Sequence, residues 1–340
     1  MLKTRLFTAI ALIAALLLLA PAAYADEKTT TGSFTASSSA PTVDAIDIYT
    51  NIGCTIPAAS MDPLTTYYAK ATVTSKSKLK HLATVKVTVF YDATGADPVA
   101  PVAGNTQTCA ILTCTVGPPA SWAIDSGGPP TTWQIVGGSC SQPANLELTT
   151  GDWIFAFMPG KVATESIAPA NWDAQGLATN KSSQSGELYV LDKDMNWYGE
   201  VTVSTGSVDW GTVPLGLLFG DAENPETGIT TNYIANGDYE EDIKSTSWTG
   251  AVTLDTVTLD ETGGNPPAAD SQFALKGNDI NELASAVTVQ TTYNSIDDSG
   301  DITPEGGDDV ATNTLWLSLS AAGIAPDTYS GSIYYQIANR

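Results

Sequence analysis

The chain contains 340 residues with 14 basic and 37 acidic side chains, so its formal net charge is −23 at pH 7. A surface with this charge repels nucleic acids and anionic membranes, which excludes both as expected partners. Because His81 is the single histidine, a zinc site made of several imidazoles is excluded and a Ser-His-Asp triad is hard to build.

The first 25 residues have the layout of a secretory signal peptide. Lys3 and Arg5 precede an apolar stretch over residues 6–20, and Ala23 and Ala25 provide a small-residue cleavage site. An uncleaved anchor is the alternative, but the apolar stretch has about 15 residues where a membrane span needs about 20. We therefore expect cleavage after residue 25 and a mature protein that is secreted or held at the cell surface, without a membrane segment.

The four cysteines predict two disulfides, because an even number in an exported chain favours bridges over a metal site. They are Cys54, Cys109, Cys114 and Cys140. Residues 107–116 are predicted as a strand, in which Cys109 and Cys114 would lie roughly 16 Å apart on opposite faces, too far for a bridge. Each would then pair with Cys54 or Cys140, and a local turn joining Cys109 to Cys114 is the alternative.

Period-two patterns dominate the mature chain. Apolar and polar residues alternate over residues 67–73 and 85–91, which is typical of half-buried strands, whereas residues 153–158 are apolar on both faces, as in an interior strand. Residues 278–284 offer the one short helix. The pattern predicts an all-β fold of two immunoglobulin-like or jelly-roll-like β-sandwich domains in tandem. Further strands are predicted at residues 188–191, 200–203, 252–254, 286–289, 315–319 and 333–337.

Charge and cysteine usage place a domain boundary near residue 198. Residues 26–198 carry 9 basic and 15 acidic side chains, a net charge of −6, whereas residues 199–340 carry 3 basic and 22 acidic, a net charge of −19. All four cysteines lie before the boundary. We therefore predict an N-terminal disulfide-containing sandwich over residues 26–198 and an acidic immunoglobulin-like sandwich over residues 199–340.

A basic hairpin tip contrasts with the acidity of the rest of the chain. It contains Lys76, Lys78, Lys80 and His81. Such a tip is complementary to the acidic domain of another copy, and a head-to-tail contact of this kind builds filaments or arrays. The alternative is an ordinary solvated turn. Residues 29–49 predict a further strand, available for lending to a neighbour by β-augmentation, and the alternative is the first strand of its own sheet.

Two sequence motifs resemble a known family. The sequence SVDWGTVPLG at residues 207–216, followed by NYIANGD at residues 232–238, resembles the opening of ASH-type immunoglobulin-like modules, which begin with a D-aromatic-G-x-V-x-x-G strand. Residues 323–333, GIAPDTYSGSI, are similar to their closing G-x-Y-x-G-x-I strand. The resemblance implies a binding or spacer module without catalysis. Independently of it, Trp210 is expected to be an inward-facing core residue.

A dense group of carboxylates suggests a calcium site. Oxygen ligands at this density suit calcium, although the spacing is not that of an EF-hand because Ile302 stands where the loop requires glycine. The alternative is a solvated acidic hairpin tip. Calcium is the one cofactor that the sequence suggests. The six carboxylates are Asp297, Asp298, Asp301, Glu305, Asp308 and Asp309.

Two tryptophans and one asparagine are candidate glycan positions. Trp172 and Trp197 lie beside polar residues and are suited to stacking on sugar rings, whereas packing in the core is the alternative. Asn180 begins an Asn-Lys-Ser sequon, which has meaning in a host that glycosylates asparagine.

Taken together, these features predict a secreted, non-catalytic structural or adhesive cell-surface protein that self-associates or assembles with other surface components into a filament or surface layer. The first alternative is an extracellular carbohydrate- or calcium-dependent binding module. The second is a secreted hydrolase with paired carboxylates. Because the acidic residues are accompanied by no nucleophile motif, phosphate loop or metal-ligand spacing, we do not expect an enzyme.

Overall fold

The computed structural model describes residues 29–35, 37–95, 105–126, 133–221, 226–300, 302–303 and 309–340. Within these ranges, the side chains of residues 226, 227, 297–299 and 309 are not described. The described residues divide into two units, one that ends at residue 37 and one that starts at residue 38, and all the described strands belong to the second. The predicted signal peptide lies outside the described residues.

The second unit is built from β-strands. Its described residues contain 21 strands and two short 3-10 turns, Leu79–His81 and Gly137–Ser139. The all-β prediction is confirmed, and the alternating burial along these strands explains why: each strand places one set of side chains in a core and the other set in solvent.

The first ten strands form two facing sheets. A four-stranded sheet has the order β1-β3-β8-β7, and a six-stranded sheet has the order β2-β10-β9-β4-β5-β6. All of their neighbouring pairs are antiparallel except β2 with β10. The strands are β1 (Thr42–Tyr49), β2 (Ser60–Met61), β3 (Tyr67–Thr74), β4 (Leu82–Asp92), β5 (Cys109–Thr115), β6 (Ser121–Asp125), β7 (Gln134–Ile135), β8 (Thr150–Met158), β9 (Asn171–Asn180) and β10 (Ser185–Met195).

The remaining strands form a second pair of sheets. An eight-stranded sheet has the order β11-β12-β19-β16-β15-β14-β20 with β17 beside β16, and a three-stranded sheet has the order β18-β13-β21. The strands are β11 (Gly199–Val203), β12 (Glu226–Ala235), β13 (Tyr239–Ser245), β14 (Trp248–Gly250), β15 (Thr256–Leu259), β16 (Gln272–Asn278), β17 (Val287–Thr288), β18 (Asn294–Gly300), β19 (Asp309–Leu319), β20 (Tyr329–Ser330) and β21 (Ile333–Asn339).

The first core shows how sequence alternation produces packing. On β8, Trp153 and Phe155 are fully buried, and they pair in register with Ala71 and Ala69 of β3. A small residue opposite each large ring leaves room for the aromatic groups between the sheets, so the layers interdigitate at the density of a protein interior.

Three local predictions are wrong. Residues 252–254 form an exposed turn rather than a strand, with Val252 85% and Leu254 73% exposed. Residues 278–284 form no helix, because Asn278 ends β16 and its side chain bonds to the Glu282 carbonyl and the Ser285 hydroxyl instead of capping a helix. Residues 207–216, expected as the opening strand of an ASH-type module, lie outside the strands.

The proposed boundary near residue 198 falls between two sets of sheets. Among the described residues, no strand pairing joins β1–β10 to β11–β21, and the core clusters on the two sides share no residue. Contacts do cross the boundary: Lys161 forms an ion pair with Glu200 at 2.5 Å, and the buried Asn236 amide donates to the Ala163 carbonyl at 2.7 Å. The division into two domains therefore stays a prediction.

Candidate functional site: a basic hairpin tip

The predicted basic tip connects β3 to β4 and is fixed by its backbone. The Leu79 amide donates to the Leu148 carbonyl and the Lys80 amide donates to the Leu146 carbonyl, each at 2.9 Å. Leu79 is fully buried, and a Cβ added to Gly151 would lie 2.9 Å from the Leu79 side chain. The glycine therefore gives Leu79 the space to anchor the tip, while the lysines on either side of it remain exposed.

Glu147 compensates part of the positive charge. Its two carboxylate oxygens lie 2.8 Å from Nζ of Lys78 and of Lys80. Hydrogen bonds from both lysines lower the pKa of Glu147 to about 2, so this carboxylate stays ionised in any ordinary buffer. The side chain is solvent-exposed, and exposed ion pairs of this kind contribute little to stability. Their effect is to hold the two lysines in place.

Lys181 adds a positive charge that is remote in sequence. Its amide donates to the His81 carbonyl at 2.9 Å, which places this exposed residue beside the tip. Neither Lys76 nor Lys181 forms an ion pair within the part of the chain that the structure describes. Four lysines against one glutamate leave a net charge of +3. We call the group of Lys76, Lys78, Lys80, His81 and Lys181 the lysine tip.

The backbone at Lys78 is unfavourable for a residue with a side chain. Its φ of 76° and ψ of 153° lie in a region that is almost reserved for glycine and costs of order 1–3 kcal/mol in other residues. Glycine at this position would relieve the backbone strain, but lysine provides a positive charge there. Backbone strain of this kind is commonly found at functional sites.

The predicted calcium ligands fall largely outside the described residues. Asp297 and Asp298 lie on β18 and Asp309 begins β19, but their side chains are not described, and the other three carboxylates of the group lie outside the described residues. In the described part, no group of three or more metal-ligating side chains is close enough to hold an ion. The calcium site stays a prediction.

All four cysteines are free thiols, so neither predicted disulfide is present in the structure. The strand prediction for Cys109 and Cys114 is correct: Cys114 faces the first core, five residues along β5 from Cys109, and so on the opposite face. Burial raises the pKa of Cys109 to about 11 and that of Cys114 to about 12. Thiols that resist ionisation are slow to form bridges.

The glycan positions are mostly occupied by packing. Trp172 is fully buried, its indole N–H donates to the Thr164 carbonyl at 2.8 Å, and its ring lies 5.5 Å from that of Trp133, so it is a core residue with no face for a sugar. Trp197 is half-buried and donates to the Asp238 carbonyl at 3.2 Å. Asn180 is 4% exposed, and its amide nitrogen donates to the Ser39 carbonyl. The sequon nitrogen is therefore engaged in this fold.

A cavity of about 650 Å³ lies between residues 208–215 and 324–329. Trp210 lines it and packs 5.9 Å from Trp248, which in turn lies 4.5 Å from Phe273. Trp210 thus faces the core between the second pair of sheets, which we call the second core, as expected. The indole N–H groups of Trp210 and Trp248 are buried and have no hydrogen-bond partner among the described residues. The cavity therefore has aromatic walls, while the two indole N–H groups are buried and not open to it.

No family model matches the sequence, and no curated protein matches it. Among solved structures, it is similar to BcpA, the major pilin subunit of Bacillus cereus, at 12% identity and a TM-score of 0.22, covering 82% of this chain and 56% of that one. It is also similar to a chaperone–tip adhesin complex of CFA/I fimbriae, at 9% identity and a TM-score of 0.24, covering 83% of this chain and 97% of that one.

A third similar structure is dimeric latent PorU from Porphyromonas gingivalis, at 10% identity and a TM-score of 0.12, covering 83% of this chain and 34% of that one. Similarity this low defines neither a shared fold nor a shared function. The resemblance to ASH-type modules is likewise matched by no family model and stays a prediction. Within the described residues, no helix is long and apolar enough to cross a membrane.

Proposed function

We propose that this protein is a non-catalytic structural or adhesive component of the cell exterior whose copies associate through the lysine tip. The observation that carries the proposal is an anchored, exposed group of four lysines with a net charge of +3, on a chain whose formal net charge is −23. Such a concentrated positive site finds its complement on the acidic surface of a second copy.

The C-terminal residues supply that complement. Exposed carboxylates recur over the second pair of sheets, whereas Lys244, Lys276 and Arg340 are its only basic residues. A contact between a tip on one copy and an acidic surface on the next joins different patches, so it propagates instead of closing as a two-fold dimer would. Copies would therefore form a chain or a layer. The exposed carboxylates are Asp209, Asp238, Asp255, Glu261, Asp270 and Glu282.

The experiment is electron microscopy and sedimentation of the purified mature protein, wild type against the double variant Lys76→Glu/Lys181→Glu. Both lysines are exposed and unpaired among the described residues, so the variant should fold normally. We expect ordered polymers from the wild type and at least about tenfold weaker association for the variant, with wild-type assembly weakening as salt screens the charges.

Lys276→Glu is the control for a lysine-to-glutamate substitution outside the tip, because it makes the same change of charge per substitution on β16. It should leave assembly intact. Polymers that persist unchanged in the double variant, or a wild-type protein that stays monomeric at every concentration tested, would show that the tip does not mediate assembly.

A binding module is the second candidate function, and the cavity beside Trp210 favours it. Aromatic walls suit a sugar ring, which offers apolar faces for stacking. A glycan array tests this directly. Signal that is lost in Trp210→Ala but kept in Lys76→Glu/Lys181→Glu would establish a binding site separate from assembly, and a blank array would reject it.

A further inference from the structure

The second core contains a group of polar side chains where apolar residues are expected. Thr231 and Tyr233 on β12, Asn313 on β19 and Glu241 on β13 are all fully buried. Strands β12 and β19 are neighbours in the eight-stranded sheet, whereas β13 belongs to the three-stranded sheet. Glu241 thus reaches its partners across the interior of the sandwich. We call these four residues the polar cluster.

The contacts within the polar cluster are direct. Asn313 Nδ2 lies 3.1 Å from Thr231 Oγ1 and 2.8 Å from Glu241 Oε1, so the amide donates to both groups. The Tyr233 hydroxyl donates to Thr231 Oγ1 at 2.5 Å. Asn313 Oδ1 is buried and has no hydrogen-bond partner among the described residues. A hydroxyl, a carboxamide and a carboxylate therefore meet at one point without intervening water.

Such a group would lower the stability of the fold if it only filled space in the core. A buried carboxylate or amide is unfavourable unless its hydrogen bonds are complete, and apolar residues of similar volume are often at least as stable. Here the bonding is incomplete at Asn313 Oδ1, and the Tyr335 hydroxyl, also buried, has no partner among the described residues. Burial first, and then the nearby Glu241 carboxylate, raise the pKa of Tyr335. The composition is that of a reactive site: a nucleophile, an electrophile and a base.

We propose that the side chains of Thr231 and Asn313 join in an intramolecular ester that ties β12 to β19, with Glu241 as the base that promotes it. Thr231 Oγ1 attacks the carboxamide carbon Cγ of Asn313, so the Oγ1–Cγ bond forms and the Cγ–Nδ2 bond breaks. The proton of the threonine hydroxyl passes to the Glu241 carboxylate and from there to Nδ2, which leaves as ammonia. Glu241 is regenerated, and no oxidant or reductant is needed.

The geometry supplies what this reaction requires. The fold holds nucleophile and electrophile together, which replaces a bimolecular encounter by an intramolecular one. Glu241 Oε1 already contacts the leaving nitrogen, and the Tyr233 hydroxyl is hydrogen-bonded to both the attacking oxygen and Glu241, so the threonine proton has a path to the carboxylate through Tyr233. Exclusion of water protects the ester once formed, and the released ammonia is protonated when it reaches solvent.

Intact-mass measurement of the purified folded protein, with its first residue established by N-terminal sequencing, tests the proposal. The mass should be lower than that of the sequence by one ammonia, and proteolysis should release the peptides containing Thr231 and Asn313 as one linked species. Treatment of that species with hydroxylamine should separate them, because esters are cleaved under conditions that leave amides intact.

The linked peptide is the decisive readout, because an Asn-Gly pair such as Asn236-Gly237 also loses ammonia when it forms a succinimide, without joining two peptides. Thr231→Val removes the nucleophile, and Glu241→Gln removes the base while keeping the shape. Both should show the full sequence mass and no linked peptide. Thr230→Val, one residue along β12, is the matched control and should keep the link.

A wild-type protein with the full sequence mass and separate peptides would overturn the proposal. So would a link that persists in Thr231→Val. If Thr231→Val fails to fold, Glu241→Gln with a native circular dichroism spectrum decides the role of the base, and the wild-type peptide map alone decides whether the ester exists. None of these outcomes depends on assembly through the lysine tip.

Discussion

The two cores of this chain are built from different kinds of residue. In the first, the largest fully buried side chains are the aromatic rings of Trp133, Trp153 and Trp172, and Trp133 packs on both Trp172 and Phe157. In the second, Glu241 and Asn313 are buried as completely as any of those rings. The first half also buries a carboxylate, that of Asp173 on β9, but the second half joins a carboxylate, an amide and two hydroxyls in one buried group.

The difference shows what each core is suited to do. Rings packed at interior density resist deformation, and every atom removed from them costs stability, so the first core provides a rigid base for the hairpin that carries the lysine tip. A polar cluster adds little stability as it stands, because its hydrogen bonds mainly replace those with water. It becomes strongly stabilising if it is converted into a covalent link. The second core, which belongs to the acidic half, would thus be stabilised by a covalent bond.

The largest expected effect is that of Thr231→Val. The proposed ester closes a loop of about 80 residues between β12 and β19, and its loss should lower the free energy of unfolding by about 4.5 kcal/mol on chain-entropy grounds. Denaturant unfolding followed by tryptophan fluorescence measures it. Thr230→Val should stay within about 0.5 kcal/mol of the wild type, as is usual for partly exposed sites. Equal stability of the wild type and Thr231→Val would argue against a covalent link.

Trp172→Ala tests the aromatic core, with an expected loss of about 4 kcal/mol because large-to-small changes of buried rings leave cavities. The bond from its indole to the Thr164 carbonyl is lost as well. The half-buried Trp197→Ala should lose less, since part of its ring already lies in solvent. If Trp172→Ala is as stable as the wild type, Trp172 does not contribute to the core, and a role at the surface is favoured again.

Most strands were predictable because their alternation is local. The patterns at residues 67–73, 85–91 and 315–319 fall within β3, β4 and β19, where one face is buried and the other is not. Strand β9 was missed because nearly all of its residues are buried, polar ones included, so it has no alternation, and Asn171, Trp172 and Asp173 looked like a surface site. Its position in the middle of the six-stranded sheet depends on tertiary contacts, which the local sequence pattern does not reveal.

The candidate sites were predictable only in part, for a similar reason. The lysines at residues 76–80 are adjacent in sequence, but Glu147 and Lys181 reach the tip through the folded sheet, and nothing in the local pattern indicates their presence. Glu241 lies in the acidic sequence DYEED at residues 238–242, which is typical of a solvated segment. Alternation along β13 nevertheless turns Glu241 inward, where it meets Asn313, 72 residues away.

Leu79→Ala should loosen the lysine tip from the first core. Leu79 is fully buried beneath the tip, and leucine-to-alanine changes at such positions cost about 3 kcal/mol. Because the anchor is lost, Lys78 and Lys80 would no longer be held against Glu147, so assembly should weaken together with stability. Thermal unfolding and sedimentation of the same samples would check both. If stability falls while assembly is unchanged, anchoring of the tip to the first core is not needed for assembly.

Lowering the pH should have the smallest effect on the fold, and it tests the lysine tip and the acidic surface separately. The pKa of Glu147 is lowered to about 2, so the stabilisation by its lysine partners is fully present above the ordinary carboxylate pKa and is lost progressively below it, as the pH falls through about 2. Ordinary exposed carboxylates become neutral near pH 4, well before that point. Between about pH 5 and pH 3, therefore, an acidic surface should lose most of its charge while the lysine tip keeps its own net charge, although hydrogen bonds from Thr291 lower the pKa of Glu261 and delay the loss there.

Light scattering against pH should consequently show assembly disappearing near pH 4 without unfolding by circular dichroism. Glu147→Gln, which raises the charge of the tip by one, should assemble at least as well as the wild type at pH 7 and lose assembly over the same range. Polymers that survive at pH 3 would mean that contacts other than the tip and the carboxylates hold the copies together.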